Sequence, residues 1–276
     1  MPTPFHEYAK AYPKLLASAD ACLRGSLLPK LEEIALRFAH ALEGRALDLK
    51  EGNERVFLSE VLVKTTNEMF ATIGSLRNGA LLPSYHHTRS VLELAAALDY
   101  VYRNPAKRER RLEKFVEYVK VSRYSHFKKW KQRLSAGEVT EDEFTKHCPV
   151  PESEFQDLGK RVPEWRRIWK FEGNDPRVIQ NWHYEAKIKD LFQSSEILKE
   201  CWFAYEMISH ATHLSPFGKN IRGGNLVIGF PSDSSVSDYQ KINFPIYYGI
   251  RGAQVIAIRL HDTVKAGLIE GILDLN

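Results

Sequence analysis

Two groups of residues in this chain have the types and spacing to do chemistry. The first is Arg89 and Glu93, with Tyr85 one turn earlier and His86-His87 just ahead, inside an otherwise apolar stretch. A spacing of four puts a guanidinium and a carboxylate on one helix face, where they can pair. Burying either charge alone would be costly, so the pair reads as a structural ion pair or as part of a binding site. The donor fork of an arginine suits a phosphate or a carboxylate ligand. The second group is Glu206, Ser209, His210 and His213, on one stripe at i, i+3, i+4 and i+7. Glu206, His210 and His213 could in principle ligate a metal, but HExxH is absent and one helix rarely completes such a site, so no metal is expected. His213 reads either as a general acid–base or ligand contact, or as a hydrogen-bonded core histidine.

Other chemistries lack their motifs. Gly223-Gly224 has no GxGxxG or P-loop context, and no serine-nucleophile motif is present. Cys22, Cys148 and Cys201 are odd in number, far apart and without a CxxC pair. Scattered unpaired thiols suit a reducing cytoplasm, and no cofactor is expected. No run approaches the roughly 18 apolar residues of a membrane span, so no membrane partner is expected.

The elements that must position these groups follow the helical period. The spacing predicts one or two helices over Tyr12–Ala41, broken near Gly25 and Pro29, then helices over Glu54–Leu76 and Leu81–Tyr102. The last of these has an expected buried face of Leu82, Tyr85, Arg89, Leu92/Glu93 and Ala96. A charged helix follows over about Ala106–Leu134. Prolines 149, 151, 163 and 176 with clustered acids mark an irregular insertion at about 138–180. Helix resumes over Ala186–Leu214, with a loop or at most one short hairpin near 225–231, and returns over Ile242–Leu275. The fold class is all-α: N-terminal helices over 1–50, then one helical-bundle domain over 51–276 that holds the insertion. Apolar length in the C-terminal helix makes a homodimer an expectation.

The net charge of +4 is unevenly spread. Residues 103–133 hold twelve Lys/Arg against three Glu, a local +9, and residues 134–160 hold seven acids against two Lys, a local −5. Arg108, Arg111, Arg123, Lys128 and Lys129 could track phosphates, with Tyr118, Tyr124, Phe127 and Trp130 as stacking surfaces for RNA or another anionic ligand. The competing reading is a solvated face with the acidic segment folded back over it. The stripe Phe115, Tyr118, Val119, Ser122 and His126 is expected to face inward.

The order Arg89-Ser90-Val91-Leu92-Glu93-Leu94-Ala95, Asn104-Pro105, a basic helix with Phe115, Tyr118 and Arg123, then Trp182, Tyr205 and Ser209-His210-Ala211-Thr212-His213-Leu214-Ser215-Pro216 resembles a bacterial all-helical family of unknown function. Its marks are an Arg-x-x-x-Glu helix and a late Ser-x-x-x-His-x-x-Pro segment, and the likeness covers roughly residues 55–220. That family is distantly similar to HEPN (higher eukaryotes and prokaryotes nucleotide-binding) domains, many of them ribonucleases in toxin–antitoxin and phage-defence systems. Their motif sets Arg four to six residues before His on one helix. No Arg stands there before His213, so the pairing would have to cross helices, as between Arg89 and His213. The resemblance implies binding or cleavage of RNA, with Arg89 on a phosphate, His213 moving a proton, and Glu93 and Ser209 positioning them. The alternative is a non-catalytic helical interaction or ligand-sensing protein with a buried Arg/Glu/His network.

Overall fold

A computed structural model of the chain describes residues 13, 20, 23–43, 52–171, 175–183, 187–212, 221–222, 225–226 and 236–264. Among them are ten α-helices and one two-residue antiparallel strand pair, an all-α fold. The helices are α1 (Leu28–Glu43), α2 (Asn53–Arg77), α3 (Leu81–Tyr102), α4 (Pro105–Ser135), α5 (Glu141–His147), α6 (Glu152–Gly159), α7 (Val162–Trp169), α8 (Ile188–Gln193), α9 (Trp202–Thr212) and α10 (Val236–Val264). The chain forms two compact units, one of Met1–Lys50, Leu58–Arg103 and Ile188–Asn276, the other of Glu51–Phe57 and Asn104–Lys187.

In the first unit α3 is the central helix, packed against α8, α9 and α10, and α1 packs on α10. It starts at Leu81 because the chain before it stops cleanly: Gly79 takes φ +73°, its N–H reaches Leu76 O, and Ala80 N–H reaches Ser75 O. That left-handed closure is a glycine's role at a helix C-terminus. Pro83 lies in the first turn of α3, where its missing N–H leaves no gap.

The buried face of α3 is rotated from the expected stripe. Its sealed residues include Ser84, Thr88, Val91, Leu92, Ala95, Leu98 and Asp99, whereas Leu82 is 54% exposed. The physical reason lies in the polar groups. Ser84 Oγ donates to Leu81 O at 2.5 Å and Thr88 Oγ1 to Pro245 O at 2.9 Å, so these small side chains are satisfied by backbone carbonyls. Arg89 and Glu93, with more charge to desolvate, take the half-buried edge.

Several boundaries differ from the sequence pattern. Gly25, at φ +76°, makes the early break, and Pro29 sits inside the first turn of α1 rather than at a break. The helical pattern over 186–214 is interrupted by a 3-10 turn at Lys199–Cys201 between α8 and α9. The strand pair joins Ile221 to Leu226 and Arg222 to Asn225, earlier than the expected hairpin. Helix α10 begins at Val236, within the Ser/Asp-rich run, and carries Pro245 inside it.

The second unit is organised around α4. The short helices α5, α6 and α7 and the 3-10 turn Pro176–Val178 all pack on it. A sealed core of Val121, Tyr124, Phe127, Leu158, Trp165 and Trp169, among others, holds them. The expected inward stripe of α4 is therefore corrected: Val119 is 57% exposed, Ser122 and His126 are exposed, and Val121, Tyr124 and Phe127 face the core instead. Eleven cations in α4 leave few apolar positions to define a period, and the aromatic side chains of α6 and α7 select the face that packs.

Candidate functional site

Arg89, Glu93 and Tyr205 meet at the contact of α3 with α9. Arg89 Nε donates to Glu93 Oε1 at 3.0 Å and Nη2 donates to Tyr205 Oη at 3.3 Å. Tyr205 Oη donates to the same Glu93 oxygen at 2.6 Å, and the guanidinium carbon stands 5.4 Å from the Tyr205 ring centre. The three side chains form a closed ring of hydrogen bonds. Burial opposes the charge on Arg89, but Tyr205 and Glu93 outweigh it and hold the guanidinium more firmly protonated than usual. Burial, reinforced by the hydrogen bond to Glu93, pushes the Tyr205 phenol up to about 12. At neutral pH the guanidinium is therefore charged and the phenol neutral. The cluster is open on one side, where the Arg89 side chain keeps 21% and Glu93 40% of its exposure.

Ser209 stands one turn beyond Tyr205 on α9, its Oγ sealed from solvent. Glu206 on the same helix is exposed, directed away from the buried face of Ala204, Tyr205 and Ile208. The His210 side chain and His213 lie outside the described residues. Among the described residues no group of three or more His, Cys, Asp or Glu side chains is placed to hold a metal ion. His87 Nδ1 lies 2.7 Å from Glu68 Oε2, tying α3 to α2 rather than joining the Arg89 ring.

Of the five cations assigned to nucleic acid, four have close protein partners or are buried. Arg123 donates to both oxygens of Glu154, at 2.5 and 2.7 Å, and to Pro149 O at 3.4 Å. Arg108 lies near Glu54 and Glu109, Lys128 is 4.0 Å from Asp175, and Arg111 is buried. Lys129 is exposed. Further along α4, Lys131 meets Glu152 at 3.1 Å and Arg133 meets Glu138 at 3.4 Å. The acidic segment thus folds back on the basic helix.

Two polar centres escaped the sequence reading. Asp99, 1% exposed on α3, accepts from Arg259 Nε and Nη2 of α10 at 2.9 and 2.6 Å. Glu117, buried on α4, accepts from Lys120 at 2.7 Å, Trp165 Nε1 at 3.0 Å and Arg161 Nη2 at 2.9 Å. Burial would raise the Glu117 carboxyl, but these donors prevail and hold it below the ordinary range. The Arg89 ring also includes a residue that the sequence reading gave no role in the site, Tyr205. Its signal was its place one turn before Ser209, on the helix expected to face Arg89.

No curated protein and no solved structure matches the chain. Among the described residues no helix is long and apolar enough to cross a membrane. Residues 56–223, well over half the length, match a family of unknown function (DUF5677), and the chain belongs to that family.

Proposed function

We propose that this chain is a non-catalytic helical interaction or ligand-sensing protein in which the Arg89–Glu93–Tyr205 ring fixes α9 on α3. The observation that carries this reading is the closure of the ring. Arg89 donates to Glu93 and to Tyr205, and Tyr205 donates to Glu93, so each member bonds the other two. A polar network whose members bond one another rigidifies the elements it joins. The experiment pairs thermal unfolding with incubation of the protein with single-stranded RNA. Arg89→Ala should lower the melting temperature by several degrees, and RNA should stay intact with both proteins.

A second reading rests on the open side of the cluster. An anion entering there could draw the Arg89 fork from Glu93, which is what an RNA-binding or RNA-cleaving role in a bacterial defence or toxin–antitoxin setting would need. Ser209 and His213 would then supply positioning and proton transfer. RNA cleavage by the parent protein, abolished in Arg89→Ala without a change in melting temperature, would replace the first reading with this one.

A further inference from the structure

His87 and Glu68 form a pair that the Arg89 ring leaves aside. They stand on α3 and α2, 19 residues apart in sequence, within the same compact unit, and His87 Nδ1 lies 2.7 Å from Glu68 Oε2. We propose that His87 is a phosphoryl-accepting histidine, whose Nε2 takes the group from a donor that carries it on nitrogen, a phosphoramidate. This goes beyond the interaction or sensing reading and uses no residue of the ring.

The pair fixes which nitrogen reacts. A carboxylate only accepts, so the ring nitrogen facing it must donate. The proton is thereby held on Nδ1 and the lone pair of the neutral ring lies on Nε2. The His87 side chain keeps 28% of its exposure, and among the described residues Nε2 is neither bonded nor sealed. A carboxylate on the far nitrogen orients an imidazole and raises its basicity, which activates the near nitrogen as a nucleophile. The step needs no further reactant. The Nε2 lone pair forms an N–P bond as the P–N bond of the donor breaks, and the protonated amine of the donor leaves as ammonia with that electron pair. The Nδ1 proton stays between the ring and Glu68, whose negative charge offsets the imidazolium that forms.

The surroundings suit an added dianion. Within four residues of His87 on α3, and of Glu68 on α2, the sequence holds no other acid. The phosphoryl group therefore meets no second carboxylate from the adjoining turns. Pro83 is exposed one turn before His87, and Ser90 one turn after it turns its Oγ back to His86 O at 3.3 Å. Such an acceptor needs no pocket of its own, because the donor brings the group to the open nitrogen. His86 supplies an internal comparison. Its ring is exposed, 5.8 Å from that of His87 and at 74° to it, and it has no carboxylate partner among the described residues.

Incubation of the full chain with potassium phosphoramidate at neutral pH, read by site-resolved mass spectrometry and phosphorus NMR, tests this. His87 should gain the group on Nε2 at an initial rate about tenfold that of His86. Glu68→Gln keeps an acceptor for the Nδ1 proton but removes the charge, and should bring the rate at His87 to within about twofold of that at His86. His87→Gln should abolish this adduct and leave the slow modification of His86 in place. Equal rates at the two histidines of the parent chain overturn the inference without recourse to any variant. An adduct on Nδ1, or a rate advantage that survives Glu68→Gln, overturns it as well.

Discussion

Removing a single hydroxyl at Tyr205 tests the ring at its narrowest point. Tyr205→Phe keeps the aromatic packing but leaves Arg89 and Glu93 each one partner short, and should cost about 1.5–3 kcal/mol, read as a fall in the urea midpoint. Glu117→Gln keeps the shape of a buried acceptor and removes its charge, at a cost of about 2 kcal/mol. Its effect should depend on pH. The folded-state pKa of Glu117 lies below the ordinary carboxylate range, so its stabilisation is present above that range and is lost as pH falls through the folded value. Unfolding titrations between about pH 5 and 3 should show the parent losing more stability than Glu117→Gln. At this scale the sequence reveals only what is local. Arg89 and Glu93 are four apart and their pairing is legible, whereas Tyr205 enters the ring from 112 residues beyond Glu93. No spacing rule connects such positions.

Two glycines separate helix propensity from helix packing. A Cβ at Gly74 in α2 would meet nothing within 4 Å, so Gly74→Ala should stabilise by about 0.5–1 kcal/mol, as expected in a helix interior. A Cβ at Gly252 in α10 would stand 2.9 Å from Val91 Cγ1 of α3, so Gly252→Ala should destabilise by about 1–3 kcal/mol. Thermal unfolding of the two variants side by side checks opposite signs for one chemical change. Element positions were legible where an apolar period or a stop signal is strong, as in α3, whose expected bounds match those observed. The inward face of α4 was not legible. It buries Glu117 beneath Trp165 and Arg161 while leaving Val119 exposed, an arrangement set by partners up to 48 residues away.

For the whole molecule, three buried acids set the alkaline limit. Burial raises the Cys201 thiol from 9.0 to about 11, and the Tyr85 and Tyr205 phenols from 10.0 to about 12. A raised folded pKa gives stability that is complete below the unfolded pKa and is lost as pH rises towards the folded one. The urea midpoint should therefore be level to about pH 8, fall from about pH 9 as the unfolded thiol ionises, and fall faster from about pH 10 with the phenols. The all-α class was legible from the pervasive helical period. The interleaving of the two compact units, each assembled from separated stretches of chain, leaves no trace in composition. The close approach of Gly252 to Val91 also governs how such a chain can drift. A methyl group gained at 252 becomes tolerable only after volume is lost at 91, so the two positions should vary as one, and relatives with Ala at the first should carry Ala or Gly at the second.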